Sequence, residues 1–218
     1  MTEKMQFDIL DLWTERSVFT NQKGKEVSTM SRIQPIDAEQ ATGKTKDLLS
    51  AVQKSLGTVP NLFKVAAQSP AVIEGLLSFS RALKASKLTA KEREQIALLV
   101  AGQNNCDYCL AAHSTLGQMV GLSEQEIVNS VKAKGENNRV TALLNFAKAV
   151  TEKRGQISSS DYAQLTEANV SQQEALEIVA VVVENILTNY INNVAETEVD
   201  FKLPDSVREA NAKTPCAR

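Results

Sequence analysis

The amino-acid sequence predicts an all-α protein. Aromatic residues make up 5% of the 218 residues and only 9 are glycine, while alanine, leucine, valine, glutamate, lysine and glutamine are abundant. This balance favours helix over sheet. Helix start and stop signals recur from Asp37 onwards, and no stretch of alternating apolar and polar residues is bounded by hairpin turns. We expect one helical domain of about seven or eight helices joined by short links.

Local capping signals mark the ends of the predicted helices. The first helix carries apolar residues at helical spacing and stops at Gly57, and the second opens with Ser69 as its cap and Pro70 at its first position. Three later helices open with capping boxes: Thr89 with Glu92, Ser123 with Glu126, and Ser171 with Glu174. Two more, from about Cys106 to Val120 and across Val140 to Val150, end at Gly121 and Gly155. The last box opens a long helix that runs to about Val194.

Three segments are expected along the chain. Residues 1–34 form an N-terminal extension, predicted to be flexible because residues 17–30 are polar with little periodicity, and Met30 is an alternative native start. Residues 35–203 form the helical domain. Residues 204–218 contain Pro204 and Pro215 and are predicted to be a C-terminal tail.

A weak internal echo occurs at a separation of 82 residues. The matching pairs are Glu92 with Glu174, Ile96 with Ile178, Val100 with Val182, and Tyr108 with Tyr190. A diverged helical repeat would explain the echo, and so would chance similarity between amphipathic helices.

Charge and composition exclude several classes of protein. The net charge is −2 and the pI is about 5.6, so there is no basic excess with which to bind nucleic acid. No run of 18 apolar residues predicts a membrane span, and the first residues lack the apolar core of a signal peptide. Three cysteines are too few for a disulfide scaffold. We expect a cytoplasmic protein that binds neither nucleic acid nor membrane.

The segment from Asn104 to His113 carries the chemistry. Cys106 and Cys109 are three residues apart and His113 follows four residues later, so a helix places all three side chains on one face. The unpaired N–H groups at a helix start favour the thiolate, which attacks peroxides and disulfides. A second thiol one turn away can close a disulfide with the oxidised sulfur, and the imidazole can accept or return a proton.

Two further residues are candidates for the same site. The helices before and after the break near residue 104 should pack antiparallel, which places Glu94 level with His113. A partly buried carboxylate there can orient the imidazole and raise its basicity. Tyr108 is either a core residue or a residue that lines the site. Cys216, two residues from the end, is expected to be an incidental exposed thiol.

Other interpretations of the cysteine pair remain open. The two cysteines could be small buried hydrophobes. They could bind zinc with His113 and Glu94, although structural zinc sites normally bring a second Cys/His pair and this chain has one histidine. Redox chemistry without a metal or cofactor is the interpretation that we favour. A rival of another class is a non-catalytic redox-sensing or interaction module whose Cys106–Cys109 disulfide reports oxidation without turnover.

The pattern of Glu94, eleven intervening residues and Cys106-x-Tyr108-Cys109-x-x-x-His113 resembles the AhpD-like alkylhydroperoxidases of the carboxymuconolactone decarboxylase superfamily. Residues 59–63 and 69–71 also resemble its peroxidase-related branch, and the likeness covers about residues 33–201. It implies an all-helical fold, assembly into homotrimers or homohexamers, and reduction of a hydroperoxide substrate. The electron donor would be a thioredoxin-like protein, a lipoylated protein or a small dithiol. The decarboxylases of the superfamily lack the cysteine pair, so that activity is not expected.

The resemblance also assigns roles to the site residues. It implies that Cys109 attacks the peroxide, that Cys106 resolves the oxidised sulfur, and that Glu94 and His113 relay protons. Physical cues from the residues conflict: the helix dipole favours Cys106 as the thiolate, whereas His113 lies one turn from Cys109. Cys106 is expected nearer the exposed helix start, where an external reductant could meet it. Tyr108 stands where the best-studied members carry histidine.

The long helix from Gln172 to Val194 predicts an oligomer. Its residues 179–183 are all apolar, so no face of the helix at that point is polar. Such a helix must be buried within its own domain or against a neighbouring copy.

Overall fold

The computed structural model describes residues 31–212 and contains ten helices and no strand within that range. In chain order they are α1 (Gly43–Leu56), α2 (Asn61–Ala66), α3 (Pro70–Leu83), α4 (Ala90–Gln103), α5 (Asp107–Met119), α6 (Glu124–Val131), α7 (Asn138–Glu152), α8 (Ser159–Glu167), α9 (Gln172–Ala195) and α10 (Asp205–Ala212). The predicted all-α fold is confirmed. Residues 1–30 and 213–218, with Cys216, lie outside the described range.

The predicted caps account for the helix boundaries. The three capping boxes open α4, α6 and α9, and each shows both of its hydrogen bonds. The Ser69 side chain accepts a hydrogen bond at the start of α3, and Gly57 ends α1 with a left-handed φ of 72° that glycine adopts without strain. The sequence reasoning missed α2, α8 and α10. These helices have six, nine and eight residues, and α8 uses aspartate rather than glutamate in its box.

Helix α4 is the centre of the domain. Every residue from Gln95 to Gly102 is buried, because α5, α6, α7 and α9 pack around it. The largest apolar cluster joins α4 to α7 and α9, and a second cluster joins α4 to α5, α6 and α10. Helix α4 thus packs against both α5, which carries the cysteines, and α9.

An ion triad ties the start of α4 to the start of α9. Arg139 on α7 donates from Nε to Glu92 at 2.7 Å and from Nη2 to Glu174 at 2.6 Å. Both carboxylates also cap their own helices, so each is used twice. Glu92 and Glu174 are one of the pairs in the 82-residue echo, and this shared contact gives the pair a structural role whether or not the echo is a repeat.

Residues 205–212 of the predicted C-terminal tail form a helix. Within the predicted tail of residues 204–218, α10 packs on α6 and α5 and buries Val207 and Ala210. The reason is its amphipathic pattern, which is too short to stand out in the sequence. At the other end of the described range, the Arg32 backbone N–H donates to the carbonyl of Ala195, so the chain enters the domain beside the end of α9.

Helix α9 is long and apolar enough to cross a membrane by length and composition alone, and it is the one such helix among residues 31–212. The sequence, which has no run of 18 apolar residues, predicts no membrane-spanning helix. Its inner face is buried against α4 and carries three asparagines, Asn185, Asn189 and Asn192. This inner face packs within the helical domain, while apolar side chains on the outer face are exposed.

Candidate active site

The two cysteines form a disulfide at the start of α5. Their Cα atoms lie 5.2 Å apart, and the Cys109 backbone N–H donates to the sulfur of Cys106, which is the N-cap of the helix. The expectation that Cys106 lies nearer to solvent is wrong, because Cys106 is 1% exposed and Cys109 is 2% exposed. The helix start is covered by α10, which approaches so closely that a Cβ on Gly102 would lie 3.2 Å from Asn211 Oδ1.

A cavity of about 550 Å³ reaches one of the two sulfurs. Cys109 lines it, whereas Cys106 is not among the lining residues and is packed in the apolar cluster that includes Val207 of α10. The walls are mostly apolar side chains from α1, α2, α3 and α5, among them Leu48, Phe63, Leu76, Leu116 and Met119. The structure therefore makes the two thiols unequal: a molecule in the cavity meets Cys109 and not Cys106.

Glu94 and His113 meet at the same cavity. His113 Nδ1 lies 2.8 Å from Glu94 Oε2, and the two side chains are 19% and 20% exposed. This is the juxtaposition expected from antiparallel packing of α4 and α5. Burial, the strongest single influence, lowers the pKa of His113, but the nearby carboxylate of Glu94 and its hydrogen bond more than offset it, so the net pKa is raised. The imidazole is thus well placed to take up a proton.

Helix α9 contributes three side chains that sequence reasoning missed. Asn192 Nδ2 donates to Cys109 Sγ at 3.3 Å, and Asn185 hydrogen-bonds the imidazole of His113. Glu184 lines the cavity, accepts a hydrogen bond from Ser80 and has a raised pKa, chiefly because it is buried. One signal was present in the sequence: asparagines at positions 185, 189 and 192 recur at helical spacing in the long helix.

Tyr108 belongs to both the core and the site. It is buried, lines the cavity and packs edge-on against Phe201 with ring centroids 5.7 Å apart. Its hydroxyl accepts from the backbone N–H of Leu62 at 3.1 Å and bonds to Asp200, while burial and that carboxylate raise its pKa well above the usual value. The hydroxyl is therefore neutral and fixes α2 and the segment after α9 against the start of α5.

No group of three or more His, Cys, Asp or Glu side chains within residues 31–212 is arranged to hold a metal ion. The reactive groups that the structure does bring together are a disulfide, an imidazole and carboxylates.

Residues 70–153, from the start of α3 to the residue after α7, match the carboxymuconolactone decarboxylase family. Solved structures of peroxidase-related proteins share the fold. In sequence over this stretch and in fold, the chain is similar to the carboxymuconolactone decarboxylase family and to peroxidase-related proteins. The matched stretch contains Glu94, both cysteines of the disulfide and His113.

Two solved structures of peroxidase-related proteins superpose on most of this chain. A peroxidase-related protein from Ralstonia eutropha JMP134, with an alkylhydroperoxidase AhpD core, is 25% identical, has a TM-score of 0.70, and matches over 79% of this chain and 94% of its own. A peroxidase-related protein from Silicibacter sp. TM1040 is 22% identical over 80% of this chain and 94% of its own, also with a TM-score of 0.70. No curated protein sequence matches the chain.

The fold also hosts other chemistry. A debrominase solved in complex with 2,3,4-tribromopyrrole is 15% identical, covers 86% of this chain and 97% of its own, and has a TM-score of 0.66. That identity establishes a shared fold alone. These similarities establish the helical framework, while the activity must be argued from the site of this chain.

Proposed function

We propose that this chain is a thiol-dependent peroxidase that reduces organic hydroperoxides with its Cys106–Cys109 pair and a thiol donor. The observation that carries the proposal is that Cys109 lines a mostly apolar cavity together with the hydrogen-bonded pair His113 and Glu94. A nucleophilic thiol needs a neighbouring proton acceptor, and His113 lies one turn further along α5. The cysteine pair is found here as the disulfide that such a cycle would produce.

The proposed cycle has three steps that balance in atoms and electrons. In the first, the Cys109 thiolate attacks the terminal oxygen of the hydroperoxide, the O–O bond breaks, and His113 gives a proton to the departing alkoxide to form an alcohol. In the second, the Cys106 thiol condenses with the Cys109 sulfenic acid, releasing water and leaving the disulfide. In the third, two thiols of the donor reduce the disulfide by exchange and become a disulfide themselves.

The walls of the cavity support an alkyl hydroperoxide as the substrate class. Most of the side chains around Cys109 are aliphatic or aromatic, and a space of about 550 Å³ is far larger than hydrogen peroxide requires. His113, Glu94 and Glu184 line the same cavity as Cys109, so the peroxide group of an apolar substrate would be directed towards them.

Peroxide consumption in the steady state tests the proposal. Purified full-length protein would be given cumene hydroperoxide with a thioredoxin system, a lipoylated protein or dihydrolipoamide, and peroxide loss would be followed. We expect turnover with at least one donor. If every donor reduces the disulfide and none supports peroxide loss, the sensor function gains and the peroxidase is wrong. The cytoplasm is the proposed compartment, because it supplies such donors.

We also propose that the protein forms a homo-oligomer, a trimer or hexamer as the resemblance implies, through the outer face of α9. The α9 stripe is defined by five apolar side chains that are 41–73% exposed: Leu176, Val183, Leu187, Tyr190 and Val194. Their spacings of seven, four, three and four residues keep them on one side of the helix, as in helices that pair along a seam. An exposed apolar stripe of this length marks an interaction surface.

Leu187→Glu is expected to shift the assembly towards single chains, because it places a charge in the middle of the α9 stripe. Light scattering at micromolar concentration should give a mass near 23.7 kDa for the variant and a multiple of it for the parent. Gln164→Glu adds the same charge to the exposed side of α8 and should leave the mass unchanged. A parent protein of 23.7 kDa would contradict the assembly.

A further inference from the structure

Asn192 on α9 contacts the sulfur that lines the cavity. Its Nδ2 donates to Cys109 Sγ at 3.3 Å across 83 residues of sequence, and the residue is 3% exposed. Sulfur in a disulfide accepts hydrogen bonds and has no hydrogen to donate, so the chemistry of the contact fixes which end of the amide faces it. The other end of the amide, Oδ1, is therefore not the atom that contacts Cys109.

The Oδ1 atom of Asn192 is buried and has no hydrogen-bond partner within residues 31–212. Buried acceptors without a partner are rare in folded proteins, because burial removes their water without replacing it. Asn192 is also one of the residues that line the cavity. An unsatisfied acceptor beside a reactive sulfur, at the wall of a cavity, is suited to a donor on a bound molecule.

The other buried asparagines of the same face differ from Asn192. Asn189 Nδ2 is also buried without a partner within residues 31–212, but Asn189 does not line the cavity. Asn185 donates to the carbonyl of Val181, and Asn189 accepts from the side chain of Asn104. Both of those contacts stabilise helices. Within this face, Asn192 is the amide that bonds to a sulfur.

We propose that Asn192 is a catalytic residue that binds both reactants: its Nδ2 stabilises the Cys109 thiolate and its Oδ1 accepts the hydrogen bond of the hydroperoxide hydroxyl. The role given to Oδ1, the second half of this inference, rests on the proposed peroxidase function. The first half concerns the thiolate alone and stands without a peroxide.

The chemistry follows from the two ends of the amide. Loss of the Cys109 proton turns a weak N–H···S contact into a charge-assisted hydrogen bond, which favours the thiolate. The hydroperoxide oxygen that bears the hydrogen is the atom that sulfur attacks, so an acceptor for that hydrogen holds the oxygen beside Cys109. As the O–O bond breaks, the same O–H group becomes part of the sulfenic acid and can keep its bond to Oδ1, while His113 gives a proton to the alkoxide.

Alkylation by iodoacetamide tests the Nδ2 half without any peroxide. In full-length protein carrying Cys106→Ser and Cys216→Ser, Cys109 is the sole thiol, and its alkylation rate against pH reports its pKa. We expect Asn192→Leu to raise the pH midpoint by about one unit, the size of a hydrogen bond to a charged group. Asn193→Leu is the matched control, because the neighbouring amide donates to the backbone carbonyl of Asn104 and not to sulfur. An unchanged midpoint in Asn192→Leu would overturn the proposal.

The Oδ1 half is tested by comparing two rates at a pH above both midpoints. At that pH, the alkylation rate of Asn192→Leu should equal that of the parent protein, which carries only Cys106→Ser and Cys216→Ser. The rate of its single-turnover reaction with cumene hydroperoxide should remain several-fold lower than the parent's, because the acceptor is missing. Recovery of both rates would show that Oδ1 plays no part. If the parent itself does not react with peroxide, the proposed function fails while the alkylation result still decides the Nδ2 half. Asn192→Ala replaces the leucine variant if that variant lacks a cooperative thermal transition.

Discussion

Cys109→Ser is expected to abolish peroxide consumption, whereas Cys106→Ser should react once and stop. Cys109 is the sulfur that a molecule in the cavity can reach, and it has His113 one turn away to manage its proton. Without Cys106 no thiol can condense with the oxidised sulfur, so the sulfenic acid persists at Cys109. Trapping with dimedone followed by mass spectrometry locates the modified cysteine.

Cys216→Ser is the control for this pair of variants and should change neither result. The assignment of roles would be reversed if dimedone labelled Cys106 in the Cys109→Ser protein and left Cys109 unlabelled in the other. Loss of all reaction in both single variants would instead mean that the two sulfurs act only together.

Glu94→Gln is expected to slow peroxide turnover by roughly 10²-fold, the usual contribution of a general acid–base group. The variant keeps the shape of the side chain and removes the charge that helps to raise the pKa of His113. Because protonated His113 gives its proton to the alkoxide, the rate falls as the pH rises through the pKa of His113. With that pKa lowered, the fall should begin at lower pH in the variant than in the parent. Peroxide loss measured from pH 6 to pH 9 gives both quantities.

Glu74→Gln provides a matched control. Glu74 also lines the cavity, but it pairs with Lys44 and not with the imidazole, so its replacement should leave the rate and the pH profile unchanged. If the Glu94→Gln protein kept the parent's turnover rate, and that rate fell over the same range of high pH, the pair with His113 would have no part in proton transfer.

Local sequence signals predicted much of the framework and one half of the site. Caps such as Thr89 with Glu92 act within a few residues, so they can be recognised without knowing the fold. Glu94 and His113 could be paired because a short link forces α4 and α5 to run antiparallel. Both inferences depend on contacts between neighbours in the chain.

The features that sequence reasoning missed all depend on distant parts of the chain. Asn192 reaches Cys109 from 83 residues away, and nothing in the spacing of either residue specifies that contact. Cys106 lies at a helix start, which is normally exposed, but α10 folds back over it. The short α10 carries few apolar residues, so its pattern alone could not indicate that it would be buried there.

The cavity takes its walls and its reactive groups from different parts of the chain. The walls come largely from α1, α2 and α3, whereas the sulfur, the imidazole and the carboxylates project from α4, α5 and α9. A substitution at Leu48 or Phe63 can therefore change which molecules enter while the proton relay keeps its geometry. Substrate preference can thus change independently of the redox centre, and two proteins with superimposable cysteines need not consume the same compound. In this chain α1 and α2, which supply part of these walls, lie outside residues 70–153, the stretch that matches the family model, as does α9.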